Sequence, residues 1–430
     1  MSRVLILATT TGYQTRAFGD AAERLGVDLI FATDRCHVLE DPWRDAAVPI
    51  RLSDETGSVA AIVEAAGRMR IGGIIAVGDR PTVIAARAAE ALRLPGHPSE
   101  AAAAARNKHA TRTRLRDAGL PVPAFAHHPV SVEPGALAGA VTFPAVVKPL
   151  ALSGSRGVMR VNDEAELVAA LHRLRALLAA PEIRAERDPA HDSLLIEQFI
   201  EGRELAVEGV LDHGELHVLA LFDKPDPLDG PFFEETLYIT PSRVAPDIQT
   251  AIADAVARAA MALRLYHGPI HAECRVNAAG VFVLEVAARP IGGLCARALK
   301  FVPHGSAPLS PPAISLEELL LRHALGETSR EWRREDAASG VMMIPIPRRG
   351  VFHGIAGVDA ARAIVGIEDI RVTAKSDQVL VPLPEGASYL GFIFARGNQP
   401  ADVEAALRAA HARLDIAILS EVRVLQSVHG

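Results

Sequence analysis

The chain is predicted to be a multidomain protein of combined α/β and α+β class, and three features of its sequence predict this. The first hundred or so residues alternate apolar runs with helical patterns, as parallel α/β units do. The stretch His271–Gly293, reading HAECRVNAAGVFVLEVAARPIGG, has the form of an antiparallel hairpin. Beyond Ser339, short strand patterns surround two helical ones. With 430 residues, 49% of them hydrophobic, the chain has length for roughly two to four domains and enough apolar side chains for their cores.

Composition narrows the function classes. The net charge of −7 comes from 52 acidic and 45 basic side chains with no long run of either sign, so nothing points to a nucleic-acid partner. Val4–Ala8 is too short for a signal-peptide core, and no run approaches the roughly 20 apolar residues of a membrane span. A cytoplasmic location is expected. The 3 cysteines, Cys36, Cys274 and Cys295, have no CxxC spacing and are expected to be reduced and buried. Cys274 neighbours Glu273 on a strand and should face the core.

Residues 1–98 are expected to form an N-terminal Rossmann-like parallel α/β domain. RVLILA at 3–8 ends in Thr9-Thr10-Thr11-Gly12, a helical pattern runs to Leu25, and a second apolar run covers Asp28–Ala32. IGGIIAVGD then leads into PTVIAARAAEAL, with Pro81 near the helix start. A dinucleotide fingerprint needs three glycines where this loop has Gly12 alone, and no Walker sequence occurs. A nicotinamide enzyme is therefore disfavoured. The domain reads as a structural partner supplying loops to a cleft, with Asp79 a contact there or a helix cap.

Pro95, Pro98 and Ser99 mark a boundary, and residues 99–310 are expected to form the second domain, with a lid subdomain at about 122–205. Glu100–Ala118 reads as one helix carrying Lys108, a phosphate ligand or one more solvated cation. Phe143–Lys148 (FPAVVK) is a buried strand that runs into Leu152-Ser153-Gly154-Ser155-Arg156-Gly157. Backbone N–H groups approach an anion closely only where side chains are small, so this loop suits a phosphate-covering flap. The alternative is a glycine-serine turn with no ligand. Val158–Val161 reads as a returning strand, which makes the loop a hairpin flap and not a P-loop.

Asp163–Ala179 follows as an amphipathic helix, and Pro181–Asp192 as a mobile polar connection. Strands are expected at Leu194–Phe199, Glu204–Val210 and Leu216–Asp223. An adenine ring can lie against such apolar side chains while backbone groups beside Phe199 and Ile200 meet its edge, and Glu204 can accept from ribose hydroxyls. Phe232-Phe233-Glu234-Glu235, after the proline-rich loop Pro225–Pro231, suits recognition of a substrate ammonium or is a solvated loop. Pro246–Leu265 is helical and leads into the hairpin.

In that hairpin, a three-residue loop Ala278-Ala279-Gly280 with Gly280 left-handed places Glu273 opposite Glu285. Period two puts Glu285, Ala287 and Arg289 on one face, and Leu284 and Val286 on the other. Two facing carboxylates repel unless something neutralises them, and Mg²⁺ does so while keeping positions open for phosphate. Arg289 is placed to meet an anion there. The alternative is a surface hairpin whose glutamates point to water.

Taken in order, these motifs resemble those of the ATP-grasp superfamily over roughly residues 1–310: Lys108, Lys148, Ser153–Gly157, the Glu-Gln-Phe-Ile hinge at Glu197–Ile200, Glu204, and Glu273 and Glu285 with Arg289. The resemblance implies an ATP-grasp fold in which ATP lies between two α+β subdomains and Mg²⁺ bridges its phosphates to Glu273 and Glu285. It implies that Lys108, Lys148, Ser153, Gly154 and Ser155 hold phosphates. Glu197, Gln198, Phe199, Ile200 and Leu284 would then surround the adenine, and Glu204 the ribose. Glu235, Arg289, Gly292 and Gly293 would bind substrate, with Arg289 and Lys148 acting in catalysis on an acylphosphate that an amine attacks. Many members carry asparagine where this chain has Ala287, which leaves the second ion fewer protein ligands. Glu285–Gly293, Phe-Asp-Lys-Pro at 222–225 and the aromatic-acidic turn at 232–235 are similar to the L-amino-acid ligase branch, which joins two amino acids. A homodimer is expected from the family.

Residues 311–338 are expected to be a linker with a helix at Ser315–Leu325, and 339–430 a small C-terminal α+β domain. The latter holds VMMIPIP, a helix around Ala360, strands near Ile370–Ala374, Gln378–Pro382 and Tyr389–Ala395, and a helix over Pro400–Leu414. No catalytic cluster is visible in it; Arg348 and Arg349 reach the cleft or are solvated. The leading expectation is an ATP-dependent carboxylate–amine ligase acting on small molecules. The alternatives are a carboxylase-like or nucleotide-pathway ligase and an ATP-binding regulator without turnover.

Overall fold

A computed structural model describes residues 3–9, 13–34, 47–137, 139–305 and 312–420. Cys36, Thr10, Thr11 and Gly12 lie outside them. Strands β1 (Arg3–Ala8), β2 (Asp28–Thr33), β3 (Ala47–Pro49) and β4 (Gly73–Val77) pair in parallel in the order β3-β2-β1-β4, with helices α1 (Tyr13–Leu25) and α2 (Glu55–Arg68) between them and α3 (Thr82–Leu92) after β4. The expected parallel α/β opening is present. Its strands are buried on both faces, which is why they read as continuous apolar runs without alternation.

The helix expected over 100–118 is two helices, α4 (Ser99–Arg106) and α5 (Lys108–Asp117). Asn107 separates them: its backbone is extended, and its side chain accepts from the Ala110 N–H as the cap of α5. The break places Lys108 in the first turn of α5, where its own N–H donates to the Leu150 carbonyl.

Strands β5 (Phe125–Pro129), β6 (Ala145–Pro149), β7 (Met159–Val161) and β8 (Ser193–Gln198) form an antiparallel sheet in the order β5-β8-β6-β7. Helix α6 (Glu164–Leu178), capped by Asp163, lays Leu167, Leu171 and Leu174 against Val147 and Ile196. Full burial of each such leucine stabilises by about 1.5–3 kcal/mol. The stretch read as a mobile connection carries a short helix α7 (Pro181–Arg184) and a 3-10 turn, and it is tied to the rest of the molecule. Arg106 pairs with Asp188, and Arg80 lies 3.7 Å from Glu186.

The largest sheet has eight strands. It begins with β9 (Arg203–Asp212), β10 (Glu215–Asp223) and β11 (Leu237–Thr240); after helix α8 (Pro246–Leu263) come β12 (Gly268–Asn277) and β13 (Gly280–Ala287). A small sheet of β14 (Lys300–Pro303), β15 (Ile314–Ser315) and β16 (Trp332–Arg334), with α9 (Leu316–Ala324), follows. Then β17 (Ala338–Ile344) returns to pair with β11. Strand β18 (Gly350–Ala356), α10 (Val358–Arg362), β19 (Ile367–Val372), β20 (Val379–Leu380), β21 (Gly391–Gly397), α11 (Pro400–His411) and β22 (Asp415–Leu419) complete the described residues. The order β13-β12-β9-β10-β11-β17-β21-β19 carries one sheet across the stretch expected to be a linker. Its core packs on the N-terminal sheet through Phe222, Ile291, Leu294 and Phe301 against Val4, Ile6 and Phe31. Among the described residues no helix is long and apolar enough to cross a membrane.

Candidate active site

A cavity of about 690 Å³ opens where the N-terminal sheet, the four-stranded sheet and the eight-stranded sheet meet. The residues singled out above all line it: Lys108, Lys148, Ser153, Gly154, Ser155, Glu197, Gln198, Phe199, Ile200, Glu204, Glu235, Glu273, Leu284, Glu285, Arg289, Gly292 and Gly293.

Glu273 faces Glu285 across β12 and β13 as predicted, but by a different route. The loop has two residues, Ala278 and Ala279, with Asn277 paired to Gly280 at φ +121. That register runs to Cys274 opposite Val283 and, if continued, would set Glu273 against Leu284. A bulge between Glu273 and Cys274 shifts the pairing by one residue and restores Glu285. It also brings Leu284 and Glu285 to the same cavity, where strict period two assigns them opposite faces. Cys274 is fully buried, as expected, and Cys295 is buried too.

Two cations meet one carboxylate at the four-stranded sheet. Glu197 accepts from Arg112 Nε at 2.8 Å and Nη2 at 3.1 Å, and from Lys148 Nζ. Burial pushes the Glu197 carboxyl up, but the two cations outweigh it and hold it at about 2. Burial pulls the Lys148 ammonium down to about 8, against the attraction of Glu197. The flap beside them has Gly154, Ser155 and Gly157 all at positive φ. A Cβ at Gly157 would stand 3.0 Å from Leu177 and 3.1 Å from Leu174, so only glycine closes the loop onto α6. Lys108 Nζ donates to the Leu152 carbonyl at 2.8 Å and lies 3.6 Å from Glu285.

At the hinge, Phe199 packs with Val146, Leu228 and Phe233, and the guanidinium groups of Arg160 and Arg275 lie over its ring at 4.2 and 4.9 Å. Two of the backbone groups expected to meet an adenine edge are already used. The Phe199 N–H donates to Pro144, and the Ile200 carbonyl accepts from Arg275.

At the eight-stranded sheet one cation meets three carboxyl groups. Lys224 Nζ donates to Glu204 at 2.9 Å, to Glu273 at 2.8 Å and to Glu235. Burial opposes its charge, yet the three carboxylates lift its pKa well above the ordinary lysine value. Glu235 is pushed up to about 8 by burial and by the Glu273 carboxylate, so it holds a proton at neutral pH. Glu273 itself stays well below the ordinary range because Lys224 and His271 outweigh its burial. His271, lifted to about 9 against burial, is bonded to Glu208, whose carboxylate also accepts from the Ile291 N–H. Burial raises Glu208.

Arg289 donates Nε and Nη2 to the two oxygens of Asp79 at 2.9 and 3.0 Å. Asp79 is thus a contact in the cleft; α3 has Pro81 at its cap position and no side-chain cap bond. Burial raises the Asp79 pKa and the arginine overcomes it. The C-terminal strands also reach the cavity, through Met343, Thr373, Gln378, Ser388, Tyr389 and Phe392. They clasp the flap as well: the Gly157 N–H donates to Pro384 at 2.8 Å and Arg156 Nε to the Glu385 carbonyl at 2.7 Å. Arg348 donates instead to the Ile418 carbonyl, and neither it nor Arg349 lines the cavity.

Sequence reasoning passed over Arg112, Glu208, Lys224, His271 and Arg275 as site residues. Lys224 stood inside the quoted Phe-Asp-Lys-Pro stretch, which was a usable signal. The others are joined only by long-range pairing. Glu273 and Glu285, cross-strand partners each part-exposed in the cavity, offer carboxylate oxygens to Mg²⁺, while Ala287 adds no donor. That hard-oxygen pair fits the ion.

Three families of known sequence match parts of the chain: the ATP-grasp N-terminal domain over residues 19–96, the ATP-grasp domain over 141–298, and the L-amino acid ligase C-terminal domain 2 over 342–418. The crystal structure of an L-amino acid ligase from Bacillus licheniformis superposes with a TM-score of 0.81 at 27% identity, covering 98% of this chain and 99% of that one. An uncharacterized protein, y4rH, of Sinorhizobium fredii is 25% identical over 97% of this chain and 84% of its own length. The alanine–anticapsin ligase of Bacillus subtilis is 26% identical over 51% of this chain, which spans 48% of that relative.

Proposed function

We propose, on the premise that this chain belongs to the ATP-grasp superfamily of carboxylate–amine ligases, that it joins two amino acids into a dipeptide with ATP as the energy source. The observation that carries this reading is the meeting, in one cavity, of the Glu273–Glu285 pair, Arg289, the strand lysine Lys148 and the Ser153–Gly157 flap.

The residues divide the work by charge. Lys148, Lys108 and the flap N–H groups hold the phosphates, and the Phe199 ring with the Ile200 N–H takes the adenine. Glu204 faces the ribose. Mg²⁺ would be held by Glu273 and Glu285 and supplies charge neutralisation for the transferring phosphoryl group. The substrate carboxylate attacks the terminal phosphorus and ADP departs, leaving an acylphosphate. The amine then attacks the carbonyl carbon and phosphate leaves. Arg289, aimed by the two-point bond from Asp79, stabilises the charge that develops on phosphoryl and carbonyl oxygens. Glu235, Gly292 and Gly293 border the substrate side.

The test is phosphate release by the purified protein with Mg²⁺-ATP and panels of amino acids. Release that requires two amino acids together, with a dipeptide seen by mass spectrometry, is expected. Release with no amino acid, or dependence on bicarbonate, would overturn the assignment.

A further inference from the structure

The far end of the strands that carry the site holds a second cluster with no part in the ligase chemistry. Strand β9 ends at Asp212 and β10 begins at Glu215, so Asp212-His213-Gly214-Glu215 is a tight turn, with His213 at φ +51 and Gly214 at φ +91. Strand β12 starts beside it: Gly268 pairs with Leu211, and the Gly214 N–H donates to the Tyr266 carbonyl. This pairing sets His267 against the turn.

One ligand atom each from Asp212, His213 and His267 falls within 4.8 Å of the others. Asp212 Oδ1 is 2.7 Å from His213 Nδ1 and 3.6 Å from His267 Nδ1. The His267 side chain is 7% exposed, and its Nδ1 is buried with no hydrogen-bond partner. A ring nitrogen that has lost water and gained no partner costs free energy unless something fills the position. The turn itself is open to solvent, since the His213 side chain is 61% exposed, so an ion has a way in. Burial and the neighbouring imidazole of His323, stacked on His267 at 4.2 Å, lower the His267 pKa to about 4. Its ring is therefore neutral at physiological pH, the form that ligates.

We propose that Asp212, His213 and His267 form a binding site for a divalent transition metal of the zinc class, separate from the catalytic centre. Two imidazoles and one carboxylate select Zn²⁺, Co²⁺ or Ni²⁺ over the oxygen-seeking Mg²⁺ and Ca²⁺. The ion would tie the β9–β10 turn to the start of β12, bracing the strands that present Glu208, His271, Glu273 and Glu204 further along. Water completes its coordination.

The experiment is titration of the full chain, freed of purification tag, with Zn²⁺ by calorimetry and with Co²⁺ by visible absorption. One Zn²⁺ per chain is expected, with an intense Co²⁺ band of a four-coordinate site. His213→Ala and Asp212→Asn should each weaken Zn²⁺ binding by at least about tenfold. His213 is exposed, so its variant keeps the fold, and the magnesium-dependent ligase activity stays unchanged. Binding that is equal in wild type and His213→Ala, or a weak octahedral Co²⁺ spectrum, would overturn the proposal. Because the readout is metal affinity, it stands or falls independently of the ligase reading.

Discussion

The two walls of the cavity are built around opposite charge clusters. On the four-stranded sheet, Arg112 and Lys148 share the single carboxylate of Glu197; on the eight-stranded sheet, the single ammonium of Lys224 is shared by Glu204, Glu235 and Glu273. The first wall has two cations to one carboxylate, and burial, with Arg112 nearby, holds the Lys148 pKa down despite Glu197. Around Lys224 the second wall crowds carboxylates together, with Arg275 also donating to Glu204, and the proton held by Glu235 reflects its burial beside Glu273. On the proposed reading, the nucleotide's phosphates would meet the first wall, while its magnesium and a substrate ammonium would meet the carboxylates of the second.

Removing the cation from the negative wall is the harshest way to break this comparison. Lys224→Met removes a buried ammonium from between the carboxyl groups of Glu204, Glu235 and Glu273, and breaking a buried ion pair costs up to about 3–5 kcal/mol. A fall in thermal midpoint at neutral pH is expected, partly recovered toward pH 5 as the carboxylates take up protons. A variant as stable as wild type at pH 7 would mean that Lys224 does not neutralise that wall.

Arg289→Ala comes next. It leaves both walls intact and removes the guanidinium between them, so kcat should fall on the order of 10²–10³-fold, the usual cost of losing a preorganised charge donor. Asp79→Asn should have a smaller effect in the same direction, because the arginine keeps its charge and loses its aim. Equal loss in both variants would show that orientation supplies all of the arginine's contribution. A normal kcat in Arg289→Ala would remove it from the reaction.

The two walls also differ in how far they could be read from sequence. The positive wall is built mostly of contiguous motifs: a strand ending in Lys148, a flap of small residues, and the hinge at Glu197–Ile200. Each is local, so composition and spacing expose it. The negative wall is assembled by pairing of β9, β10, β11 and β12, whose residues lie up to about 70 positions apart, and Lys224 acquires its meaning only through those neighbours. Even the correct facing of Glu273 and Glu285 came from a loop length one residue too long, compensated by a bulge that no residue type announces. The clasp of the flap by Pro384 and Glu385 was invisible for the same reason, since a sheet shared across the linker brings them there.

Glu235→Gln sharpens the account of the negative wall. A carboxyl whose folded pKa is raised to about 8 binds more protons folded than unfolded between about pH 4.5 and 8, so it costs stability increasingly over that window. Glutamine cannot ionise, and the variant should gain on wild type by on the order of 1–2 kcal/mol by pH 8, with no gain at pH 4. Its KM for the amine substrate should match wild type near pH 7 and exceed it above pH 8, where only the wild-type carboxyl ionises. Denaturation curves at several pH values read the first effect; a gain that is the same at pH 4 and pH 8 would contradict the shared proton.

On the positive wall the corresponding titration has the smallest effect and runs the other way. Lys148 has a folded pKa of about 8, below the ordinary lysine value, so the folded chain binds fewer protons than the unfolded one between about pH 8 and 10.5. Its burial therefore costs stability fully below pH 8, and that cost is relieved as pH rises. Nucleotide affinity moves oppositely, because the phosphates want the ammonium. Between pH 7.5 and 8.5 the protonated fraction falls roughly threefold, and the dissociation constant for ATP should weaken by about that factor. Lys148→Arg, which stays charged throughout, should give a flat profile over the same range. If the break near pH 8 survives in Lys148→Arg, another group is responsible, and the positive wall does not lend its charge through Lys148.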